Sequence, residues 1–142
     1  MSVLDVARYI LDAMGQMSAM KLQKLVYYSQ SWSLVWDDKP LFDEKIQAWA
    51  NGPVVPHLYA EHRGKFTVSP EDIPGDPDKL SDEGKETVDA VLKFYGDKTA
   101  QWLSDLTHSE APWKDARGDT PAGDRCTHVI SHADMAEYYG SI

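Results

Sequence analysis

The chain has 142 residues, of which 42% are apolar and 26% charged, with five tryptophans and a net charge of −9. That length corresponds to about one domain, and so many large apolar groups exclude a disordered chain. With a pI near 4.8 and no basic run longer than two residues, DNA, RNA and anionic membranes are poor direct partners, because affinity for phosphate rests on Lys and Arg. A basic protein partner suits this charge better.

Ser2 opens a first helix, with Asp5 at its third position and Val3, Val6, Ala7, Ile10, Leu11 and Met14 at helical spacing before Gly15. Ser18 opens a second helix that runs to about Trp36. From Leu25 to Trp36 no residue is charged, so this helix, residues 18–36, reads as the central one, packed on several sides. Lys21 and Lys24 lie in its first turns, where cations oppose the helix dipole. Pairing with nearby acids is the preferred reading for both, and retention for a partner is the other.

Asp37-Asp38-Lys39-Pro40 is a turn, and 41–50 lacks helical periodicity, so short strands are expected there. Asn51-Gly52-Pro53 reads as a break, and Pro56 as the first turn of a third helix carrying Leu58, Tyr59 and His62 to Gly64. A further strand is expected within 65–68. Ser81 caps a fourth helix with Val88, Val91, Leu92 and Tyr95 inward, ending at Gly96. A fifth runs from Thr99 to Thr107, a short helical turn follows Pro112, and Ser131 caps the last helix. The expected fold is mainly α, one compact domain over 1–142 with about six helices and a small β element.

The chemistry-bearing residues do not assemble into a catalytic pattern. Cys126, His128 and His132 invite a zinc test, but Ser131 places a cap between the histidines and no fourth ligand is near. His57 and His62 are five apart, with Glu61 between, so they diverge around a helix instead of sharing a face. Gly-x-Ser-x-Gly and Gly-rich phosphate loops are absent. The acids Glu71, Asp72, Asp76, Asp78, Asp82 and Glu83 read as solubility and capping. No metal, cofactor or catalytic residue is expected. One cysteine, no basic-then-apolar leader and no bilayer-length apolar run give a cytoplasmic reading.

Four segments taken together resemble one family. They are Met20 to Gln30; Pro40-Leu41-Phe42-Asp43-Glu44 with Ile46, Ala48 and Trp49; Asn51 to Pro56 with Leu58-Tyr59; and Leu106 to Trp113 with Ala116-Arg117. Their order and spacing are similar to the SocA-like, or Panacea, antitoxins, formerly a phage-associated domain of unknown function. Asn51 departs from the pattern, where a bulkier or charged residue is usual. The resemblance implies a bacterial or phage antitoxin that neutralises a cognate toxin by direct binding and needs no cofactor. One alternative it implies is an adaptor delivering the toxin to the ClpXP protease. An alternative of another class, a hydrolytic or metal-dependent enzyme, lacks an assembled site. The motif residues themselves read mostly as scaffold. Trp49, Asn51, Val54, His57 and Tyr59 are the candidate partner-binding residues, because aromatics in non-helical chain beside a Pro-bounded turn make rigid anchors. Asp43, Glu44 and Glu61 nearby are expected to steer a basic partner.

Overall fold

A computed structural model describes all residues, 1–142. Seven helices and two small antiparallel sheets build one mainly α domain. Helix α1, Val3–Met14, has the expected capping box: the Ser2 hydroxyl accepts from the helix backbone and the Asp5 carboxylate accepts from Ser2 N. Its apolar stripe, Val3, Val6, Ala7, Ile10 and Leu11, is buried.

Helix α2, Ala19–Trp36, is the central element and packs against α1 and three later helices. Every residue from Leu22 to Ser31 is buried, so the helix is enclosed on all sides along this stretch. Its C-terminal turn is different: Trp32, Leu34 and Val35 lie at the core's edge and Trp36 is 51% exposed. The polar residues inside α2 each have work. Ser29 and Ser31 hydroxyls donate to carbonyls one turn back. Gln30 accepts from Leu41 N and donates to Phe42 O, fixing the segment that follows the helix.

The first sheet pairs β1, Met17–Ser18, with β4, Thr67–Val68. Strand β1 is absent from the expectation, because Ser18 reads as a cap and serves as both. The second sheet is a hairpin of β2, Gln47–Trp49, and β3, Gly52–Val54. Residues 41–46 are not a strand; Leu41, Phe42 and Ile46 instead insert as plugs into the core. Asn51-Gly52-Pro53 is a turn with Gly52 at positive φ, as its residues suggest, and it forms a hairpin corner that continues into β3. Pro53 fits a strand because it pairs with Ala48, whose N–H donates away to His128 O.

Helix α3, Pro56–His62, starts on proline as expected. Helices α4, Asp82–Tyr95, α5, Ala100–Ser109, α6, Ala111–Arg117, and α7, His132–Gly140, follow, with Ser81, Thr99 and Ser131 hydroxyls as caps. The turn after Pro112 is a full helix, which raises the number from six to seven. One continuous cluster of buried apolar side chains draws on every helix.

Candidate partner-binding groove

The hairpin is held from behind by the last of the sequence motifs. Trp113 Nε1 donates to Trp49 O at 2.9 Å, and buried Arg117 donates to Ala48 O at 3.0 Å and to the carbonyls of Pro121 and Asp124. Arg117 thus has no carboxylate; three carbonyls satisfy it. Glu110 sits at the α5–α6 junction and accepts from Tyr28 and Tyr139 hydroxyls at 2.7 and 2.8 Å. Burial pushes its pKa up, against the two hydrogen bonds. These residues are scaffold.

From the front, the hairpin is held by Gln23. Val55 N–H donates to Gln23 Oε1 at 2.9 Å, which fixes Nε2 as the donor toward His62 Nε2, also 2.9 Å away. His62 Nε2 must then accept, so the ring is neutral, in keeping with a pKa lowered by burial. Val55, the N-cap of α3, has no capping side chain of its own; Gln23 instead accepts from its backbone N–H and fixes the entry to the helix.

Between the start of α2, the hairpin, α3 and the 123–127 loop lies a groove of about 910 Å³. Trp49, Asn51, Val54 and Tyr59 line it, with the Trp49 and Tyr59 rings edge to face at 4.9 Å. The fifth expected residue, His57, does not. It is exposed, with Nε2 3.9 Å from Glu44. Glu44 is itself engaged, accepting from Ser2 Oγ and Val3 N at the start of α1.

The charge of the groove reverses the expectation. Its lining holds Lys24, His62, Arg63, Lys65 and Arg125 and no carboxylate. The acids expected to steer a basic partner lie outside it. Lys24 is not paired with an acid: it is 1% exposed, and Nζ donates only to Pro53 O at 3.4 Å. Burial pulls its pKa down to about 8. Lys21 donates to Gly96 O, again with no acid. Gly52 makes room for Lys24, since a Cβ there would lie 2.5 Å from Lys24 Cε. Phe66, 84% exposed, and Cys126, buried, also line the groove. Sequence reasoning missed Gln23, Arg63, Phe66 and Arg125; only Phe66, an aromatic beside a glycine-ended helix, carried a visible signal.

Cys126, His128 and His132 stay apart in role. His128 Nδ1 lies 3.0 Å from Ala116 O, and His132 Nε2 lies 3.4 Å from Gln30 Nε2. Nowhere do three His, Cys, Asp or Glu side chains cluster closely enough to share a metal ion. No helix is long and apolar enough to cross a membrane.

A rigid helical scaffold presenting a partly aromatic groove defines a binding domain. Residues 22–114 match the family model described as antitoxin SocA-like, Panacea domain, so the chain belongs to that family. No curated protein and no solved structure gave a significant match. The family points to an antitoxin role and to a protein toxin as the general kind of partner.

Proposed function

We propose that this protein is the antitoxin of a toxin–antitoxin pair, that it acts by binding and not by catalysis, and that it docks its toxin in the groove beside the hairpin. The observation that carries this reading is the convergence of Trp49, Asn51, Val54 and Tyr59 on one groove. Interface hot spots favour rigid aromatics set in well-packed surroundings, and the backbone bearing these rings is anchored by Gln23, Trp113 and Arg117. His57, outside the groove, is a rim residue at most.

The functional unit is the whole chain, 1–142, and it works in the cytoplasm. Helices α1 and α7 lie beyond the matched residues, yet Val6, Ile10, Met135 and Tyr139 belong to the same core. Removing either helix would uncover α2. The test is co-expression with the protein encoded by the adjacent gene, followed by reconstitution of the purified pair. Neutralisation without a protease supports direct binding. Neutralisation only in the presence of ClpXP supports an adaptor instead.

A further inference from the structure

We infer that the groove receives an acidic segment of the protein partner, with carboxylates meeting Arg63 and Arg125 at the rim above the positive floor made by Lys24. This deepens the proposed function and rests on it. The chain carries nine more acidic than basic charges, yet the lining of this groove has no carboxylate. Such a local reversal is a complementarity signal, because charge at an interface selects the partner more than it adds affinity.

Arg63 and Arg125 form no ion pair, unlike Arg8, which holds Asp12, and unlike Lys65 in the same lining, which holds Asp72. Their guanidinium groups are free to take carboxylates in two-point fashion. Lys24 is the more telling residue. An ammonium has three donors, and here one long bond to a carbonyl is the only protein partner of a fully buried side chain. A buried cation without a counter-charge is costly unless something supplies the missing charge. Its field reaches the groove: burial first, and then the Lys24 charge, hold His62 below its usual pKa, against a backbone hydrogen bond that raises it.

Phe66 and the Trp49–Tyr59 pair supply apolar faces between these cations. The lining therefore suits a short peptide alternating acidic and apolar side chains. A long polyanion such as RNA would run from the groove onto a surface of strongly negative balance, which opposes it.

The probes are a fluorescein-labelled octapeptide alternating glutamate and leucine, its glutamine–leucine counterpart and a labelled uridine octanucleotide. Each is titrated by fluorescence anisotropy with the full chain up to about 1 mM, the weak-affinity limit. The glutamate peptide is expected to bind at least about tenfold more tightly than the glutamine peptide. An Arg63→Ser/Arg125→Ser variant that melts like wild type should lose that preference. A Lys93→Ser control, on the wet face of α4, should keep it. Equal affinity for the two peptides, no binding of either, tighter binding of the oligonucleotide, or an unchanged preference in the double variant would each overturn the inference. If the chain still neutralises the neighbouring gene's product while the peptide arms fail, only this inference falls. If it neutralises nothing, the underlying reading falls.

Discussion

Lys24 and Glu110 are buried ionisable side chains whose environments pull against their charge. For Lys24 the folded pKa of about 8 lies below the ordinary 10.5. The unfolded chain therefore binds the proton more tightly, and stability contributed by this group rises as pH climbs from about 8 to 10.5. Below pH 8 the full penalty applies, about 3 kcal/mol on a linkage conversion. Lys24→Met is expected to raise the unfolding free energy at pH 7, read from the urea midpoint and slope, by up to that amount, and to flatten the rise in stability above pH 8. A midpoint below wild type would mean that the ammonium is stabilising where it sits. Glu110 runs the other way. Its raised pKa makes its contribution largest below 4.5, and that contribution is lost as pH rises through the folded value. Glu110→Gln keeps an acceptor for Tyr28 and Tyr139 and should abolish this loss. Glu110→Ala strands the Tyr28 hydroxyl and leaves Tyr139 only the Tyr27 hydroxyl as partner, and should cost roughly 1–3 kcal/mol, read from denaturant unfolding.

Among the elements, the hairpin and the central helix behave differently under substitution. Gly52 has φ +119 and lies against the Lys24 side chain. Gly52→Ala is expected to cost about 1–3 kcal/mol, and less in a Lys24→Ala background, because one part of the cost is a clash and the other is backbone strain. Equal costs in both backgrounds would remove Lys24 from the account of why glycine stands there. In α2, Trp32 lies at the core's edge, stacked on Trp36 and donating to Tyr95 Oη at 3.0 Å. Trp32→Ala should cost about 2–3 kcal/mol, below the roughly 3–5 of a fully enclosed tryptophan, while Leu25→Ala falls within the usual 2–5. Thermal or urea unfolding of the pair orders them.

The uncharged run of α2 revealed the central helix because a helix without charge has no face to offer water. The serine caps were legible for an equally local reason, a hydroxyl directly before an apolar period. The hairpin was only half legible: Gly52 and Pro53 signal a turn, and nothing local says that Pro53 pairs with Ala48 across it. Strand β1 was hidden because two residues carry no alternation. At the groove, Trp49, Asn51, Val54 and Tyr59 were legible as a group because they are close in sequence around one turn. Gln23 and Arg125 were not, since they come from distant segments that only the fold brings to the same wall. Lys24 stands out in the sequence as a cation in the first turns of α2, but its burial without an acid shows only in the fold.

At the scale of the molecule, a domain of net charge −9 carries a groove lined by cations and rings. The acidic exterior and the basic groove act at different ranges. Screening limits the exterior to encounter, whereas the groove acts on contact. A cognate toxin is therefore expected to bind with modest salt dependence in its on-rate and a larger loss of affinity when the groove is altered. The most direct test of the account is a paired measurement on Tyr59→Ser: melting temperature alone, and affinity for the protein encoded by the adjacent gene by calorimetry. The account predicts a melting temperature close to wild type and a loss of more than about 2 kcal/mol in binding, the size of a hot-spot truncation. Unchanged affinity with an intact fold, or a variant that only melts early while binding as tightly as wild type, would contradict it.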